Sequence, residues 1–134
     1  VHLSSCPFVR LSVCPVVWIS DCPVVHLSGC PGIWLSICPV VQISDCPSAQ
    51  VPGCPGVQLS SCPSVRLSVC PMVQVSSCPS VWSSRYLVVL VSCCPSVQLS
   101  MYPIAHLSSC PDIRLSICPV VWASVCPSVC LSWC

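Results

Sequence analysis

Lysine, asparagine, threonine and glutamate are all absent from this 134-residue chain, and its formal charge consists of four arginines and three aspartates. Arg10, Arg66, Arg85 and Arg114 are scattered and form no basic stripe that could release counterions from nucleic acid, and nothing cationic is clustered for an acidic membrane surface. With only Asp21, Asp45 and Asp112 as carboxylates, well separated along the chain, paired-carboxylate catalysis is implausible. Glycine is scarce at 4 residues, and neither a phosphate-cradling Gly-rich loop nor a Gly-x-Ser-x-Gly nucleophile elbow occurs. The lack of threonine also removes the regular hydroxyl arrays that a flat ice-binding face would use.

What fills the chain instead is 17 Cys and 16 Pro. Cysteine at 17 of 134, about 13%, exceeds the ~8–10% typical of disulfide scaffolds. These residues recur with one period. Cys-Pro falls at Cys6-Pro7, Cys14-Pro15, Cys22-Pro23 and onward to Cys126-Pro127, so that residues 1–134 are a single array of Cys-Pro-x-Val-x-Leu-Ser-x octads with no separate domains. Within the series the Cys slot is lost only to Tyr86 and Tyr102. The Val slot holds Val, Ile or Ala, the Leu slot is apolar except at Ser83, and the Ser slot fails at Pro52.

Three slots vary, and two of them decide how the array is read. The slot before Cys runs Ser5, Val13, Asp21, Gly29, Ile37, Asp45, Arg85, Met101, a set that no single buried or exposed environment would choose. Most of these residues are nevertheless one base apart in the genetic code. The slot between Val and Leu (His2, Arg10, Trp18, Gln42, Leu90, Cys130) is linked in the same way through TGG, CGG, CAG, CTG, CAT and TGT. The tetranucleotide TGTC, read in triplets, encodes Cys-Leu-Ser-Val, and one change from CTG to CCG supplies Pro. The stretch Val125-Cys126-Pro127-Ser128-Val129-Cys130-Leu131-Ser132 shows both half-copies nearly intact. A strand poor in adenine accounts for the missing Lys, Asn, Thr and Glu together. Over its full length the chain thus resembles low-complexity proteins translated from TGTC-type simple tandem DNA. That resemblance implies no selected biochemical function and no enzymatic activity.

A second, compositional resemblance is to the high-sulfur keratin-associated proteins, which are also short Cys/Pro/Ser repeats, although adjacent cysteines occur here only at Cys93-Cys94. It implies a secreted structural protein cross-linked by disulfides, hence extracellular, with an odd thiol left over. Without that alternative, no compartment is assigned. The chain begins at Val1 without Met, as a fragment or a processed product would, and no secretory signal is visible.

Proline every eight residues forbids long helices. The five residues between Cys-Pro pairs suit a short strand with Val and Leu on one face and the variable residue on the other. The array is expected to be largely irregular or, if ordered, all-β, with short strands in a repetitive meander or solenoid. One extended octad spans only about 26 Å at ~3.3 Å per residue, too short a perimeter to enclose side chains, so a solenoid rung needs at least two octads. The run Leu87-Val88-Val89-Leu90-Val91 is an aggregation hazard. The charge-free stretch from Tyr86 to Pro111 is long enough for a bilayer, but Pro95 and Pro103 interrupt it and argue against a membrane span.

No catalytic, cofactor-binding or metal site is assigned. Cysteine spacing of eight does not converge on one ion; only Cys126, Cys130 and Cys134 approach a chelating spacing. The Cys-Pro dipeptide resembles haem-regulatory motifs but has little specificity. His2, His26 and His106 share a slot with Arg, Trp and Gln and read as codon neighbours. Trp18, Trp34, Trp82 and Trp122 stand at irregular intervals of two, six and five octads, which argues against a stacking ladder. No specific partner is expected beyond self-association through disulfides or strand pairing.

Overall fold

A computed structural model describes residues 1–85, 87–101, 103–117 and 120–132. Every octad contributes one strand that starts two residues after the Cys slot and ends at the Ser slot, such as Val16–Ser20, Val24–Ser28 and Gly32–Ser36. Successive strands alternate between two parallel sheets, one of nine strands and one of eight. Each residue therefore pairs with the one sixteen positions on, as Val17 does with Ile33 and Val57 with Val73. The ordered form of the array is thus a β-solenoid and not an irregular chain. Its rung is two octads, the minimum set by the perimeter argument.

Period-two alternation builds the core. Within each strand the Val and Leu slots point inward and the other three residues point outward, so Val25, Leu27, Ile33, Leu35, Val41 and Ile43 are buried between the sheets. The segment marked as an aggregation hazard and as a bilayer candidate forms ordinary rungs here, with strands Val88–Ser92, Ser96–Ser100 and Ile104–Ser108. Val88–Ser92 is hydrogen-bonded to a strand on each side, so its backbone offers no free edge. Tyr86 and Tyr102 lie outside the described residues, and no described helix is long and apolar enough to cross a membrane.

The corners explain why the octad has the letters it has. At most corners the residue before Cys donates its N–H to the Ser carbonyl of the next rung, as Val13 does to Ser28 (2.9 Å) and Val69 to Ser84 (3.0 Å). The Cys N–H donates to the thiol sulfur of the next rung, Cys30 to Cys46 at 3.3 Å and Cys38 to Cys54 at 3.4 Å. Proline has no N–H to satisfy, and its carbonyl accepts from the residue after Pro in the next rung, as Pro39 does from Gly56 (3.0 Å). The backbone groups around the buried Cys are thereby paired, so the fold tolerates a proline in nearly every octad.

All sixteen described residues before Cys have positive φ, fourteen of them non-glycine. This slot does have a single environment, an exposed left-handed bend, contrary to the expectation that no one environment could account for it. Gly29 (φ 63°) and Gly53 (φ 74°) suit it, and Asp21 and Asp45 tolerate it. Val13, Ile37, Val69, Ile117 and Val125, at φ between 52° and 59°, do not, because a β-branched side chain crowds the backbone there. Left-handed placement costs about 1–2 kcal/mol, while a new glycine forfeits about 0.4–1 kcal/mol of chain entropy. Ile37→Gly and Val69→Gly are each expected to raise unfolding stability by about 0.5–1 kcal/mol. A chemical-denaturation midpoint that falls in both variants would contradict this account of the corner.

Ser83 is the one polar residue among the described buried positions, seated in the Leu slot between Leu67 and Leu99 of the adjacent rungs. Its neighbours in the same column are leucines, so the space for one is already built. Ser83→Leu is expected to stabilise by about 1–2 kcal/mol, the burial gain of a leucine less the polar contact that Ser83 makes. A thermal melt that moved downward would show the column to be overpacked at that rung.

Candidate functional site

Sulfur forms the most concentrated chemistry in the molecule. The Cys slots stack into two corner columns, one containing Cys6, Cys22, Cys38, Cys54 and Cys70, the other Cys14, Cys30, Cys46, Cys62, Cys78, Cys94, Cys110 and Cys126. Ten of these thiols are buried, and no disulfide joins the described cysteines. The sulfurs serve the backbone in two ways. Those of Cys22, Cys46, Cys54, Cys78 and Cys94 accept the N–H of the Cys one rung earlier, and the thiols donate to the carbonyl two residues before them, for example Cys46 to Ser44 at 3.1 Å and Cys62 to Ser60 at 3.2 Å.

Burial sets the protonation of the columns. Desolvation pushes Cys46 up to about 11 and also raises Cys22 and Cys110. Donation from Cys54 stabilises the Cys38 thiolate and draws Cys38 down to about 7, and the same contact pushes Cys54 up. The second column repeats this pattern. Contact with Cys78 raises Cys62, Cys78 itself moves up, and Cys94 moves down because its thiolate is held by Cys78. Neutral thiols wrapped in apolar surface are poor nucleophiles and cannot reach another molecule. Among the described cysteines, Cys93 and Cys130 are the exposed ones to which cross-linking between chains would fall. Of the candidate chelating trio, Cys126 lies in a corner column, Cys130 faces outward on Ser128–Ser132, and Cys134 lies outside the described residues. Among the described residues, no group of three or more His, Cys, Asp and Glu converges on a metal position.

The variable slot between Val and Leu forms an outward column on each sheet. A sixteen-residue rung makes an interval of two octads one full turn, so Trp18 and Trp34 are neighbours after all. Their rings stack at 5.1 Å and 5°, with His2 tilted against Trp18 at 5.2 Å. Trp82 lies on the same sheet with Arg66 above its ring at 5.7 Å, whereas Trp122 faces out from the other sheet beside His106. The stacking ladder that octad counting argued against therefore exists as a pair and not as a continuous platform. The stack covers one face of each ring, and His2 lies against Trp18 as well. On the eight-stranded sheet Gln42, Gln58 and Gln74 form an amide ladder, with bonds of 3.1 and 3.3 Å. His26 packs against Phe8 at 5.5 Å and His106 against Trp122 at 5.3 Å, so neither His is paired with a nucleophile.

One asymmetry was not drawn from octad counting. The slot after Pro alternates between polar and apolar from position 64 onward: Ser64, Ser80, Ser96, Asp112 and Ser128 on one sheet, Met72, Val88, Ile104 and Val120 on the other. The signal has a period of sixteen and becomes visible once the rung length is known. Beside this apolar column the eight-stranded sheet carries a continuous furrow of about 1320 Å³, running between Arg10 and Trp122 over the Ser column. No family model, curated protein or solved structure matches the chain.

Proposed function

We propose that this chain carries no selected biochemical function: it is the translation of TGTC-type simple-sequence DNA, non-enzymatic, and where it is made it contributes only a β-solenoid rod. The observation that carries this reading is the corner slot. A sequence shaped for this fold would place Gly, Asn or Asp at left-handed bends, yet Val13, Ile37, Val69, Ile117 and Val125 stand there. Codon neighbourhood explains those residues and the physics of the bend does not.

A structural protein under selection is the second reading, and one observation favours it. The three variable slots are the ones that face solvent or the exposed corner, whereas the Val and Leu slots stay apolar apart from Ser83. In that reading the buried thiols serve the backbone, and disulfide cross-linking rests on Cys93 and Cys130.

Coding DNA separates the two. Selection on the peptide would let third codon positions drift while inward residues are kept; passive translation would leave all three positions equally close to TGTC. Third positions drifted well away from TGTC would defeat the passive reading. Mass spectrometry of reduced, alkylated source tissue for the tryptic peptide from residue 67 to 85, marked by Met72 and Trp82, tests whether the rod is made.

A further inference from the structure

The outward face of the eight-stranded sheet carries a ridge and a furrow of equal length, side by side. The ridge is the column after Pro: Phe8, Val40, Met72, Ile104 and Val120, between 37% and 54% exposed, with the half-buried Val24 and Val88 in the same column and the small Gly56 interrupting it. The furrow lies over the Ser column on the other side of the variable residues. Arg10 is the only formal charge on this face, and it stands on the first strand of that sheet. The nine-stranded sheet is different. Serines replace the ridge over most of its length, and Arg66, Asp112 and Arg114 face outward.

We propose that this face is a docking surface for a second copy of the chain, the two rods lying side by side about a two-fold axis parallel to their length, each ridge seated in the other's furrow. Three features on the face single out this occupant. A furrow spanning eight rungs, at ~4.8 Å per rung, is matched along its length by an object with the same pitch, and the ridge beside it has that pitch. The ridge and furrow occur on one face, as an isologous contact requires. The area also suffices. Eight strands about 34 Å deep and about 16 Å wide give roughly 550 Å² per copy, about 1,100 Å² for the pair, which clears the ~1,000 Å² of a specific interface. The axis direction follows from the same geometry: a two-fold across the rods would set ridge on ridge and furrow on furrow, leaving the furrows unfilled.

The arrangement brings Met72 of one copy opposite Ser76 of the other in the same rung. The proposal is independent of the passive or structural reading, since it concerns a surface and not its history. Light scattering on the full chain under reductant is expected to give twice the 14.2 kDa chain mass. Met72→Lys and Ile104→Lys should lower the mass to that of one chain and weaken self-association at least tenfold, while Ser64→Lys on the other sheet leaves it unchanged. Circular dichroism should show that each variant keeps its β structure, since positions 64, 72 and 104 are exposed in the single rod. The double variant Met72→Lys/Ser76→Asp should regain the dimer, because each new lysine meets the partner's new aspartate. A wild-type monomer at 100 µM, a dimer lost on adding reductant, or equal sensitivity to Ser64→Lys would overturn the docking surface. Failure of the double variant to recover would overturn the two-fold arrangement.

Discussion

Raising the pH from 9 to 11 under reducing conditions is expected to unfold the rod progressively, with the urea midpoint falling by more than half over that interval. The cause is the thiol columns. Cys22, Cys46, Cys54, Cys62, Cys78 and Cys110 hold their protons more tightly when folded than the ordinary thiol value of 9.0, while Cys38 and Cys94 release theirs more readily. A group whose folded pKa is raised contributes stability that is complete below the unfolded value and is lost as pH climbs through the folded one. For Cys46, raised to about 11, that loss amounts to on the order of 2–3 kcal/mol at ~1.4 kcal/mol per pH unit. Cys38, lowered to about 7, acts oppositely: its contribution is present above pH 9 and fades as pH falls toward 7. Above pH 9 the raised thiols lose their contribution while those of Cys38 and Cys94 are already complete, so stability falls on the alkaline side. Cys46→Ser keeps an acceptor for the Cys30 N–H but removes the titration. It should flatten the alkaline limb measurably by circular dichroism. A midpoint independent of pH up to 11 would show that the buried sulfurs ionise without cost.

How much of this was legible in the sequence depends on the kind of signal. The inward Val and Leu slots announced themselves through period two, and the need for two octads per rung followed from the length of an extended octad alone. Both reduce to covalent geometry, which the sequence states directly. The left-handed corner was not legible, because its usual markers, Gly and Asn, are thinned to Gly29 and Gly53 among serines, valines and isoleucines. Cysteine misled in another way. Its abundance points to disulfides or metal, whereas in the fold the thiols of Cys46, Cys78 and Cys94 accept and donate hydrogen bonds where proline leaves the bend short of partners. The pairing of Trp18 with Trp34 and the apolar ridge through Met72 and Ile104 need the sixteen-residue rung before they can be seen. Function suffers most from this, since outward columns are defined by rung neighbours and not by chain neighbours.

Because each rung touches only its neighbours, damage at one rung is expected to stay local in space while being severe in energy, and Val65→Asp tests both. Val65 is fully buried, in register with Ala49 before it and Val81 after it. A carboxylate there has no partner, and it must bind a proton to remain inside. From an ordinary Asp value near 3.9, doing so at pH 7 costs about 4 kcal/mol before any packing loss. The native pKa would be raised, so the penalty is absent below about pH 4 and grows as the pH increases. Hydrogen exchange at pH 7 should show protection lost in Ser48–Pro52, Ser64–Ser68 and Ser80–Ser84, and retained in the distant Asp112–Ser116. Ser64→Asp, one residue earlier but facing out, should be nearly silent, since Asp112 already occupies that slot on the same sheet. If instead Val65→Asp abolished protection along the entire rod, the rungs would be coupled far beyond their nearest neighbours. Stability would then be a property of the whole array and not a sum over turns.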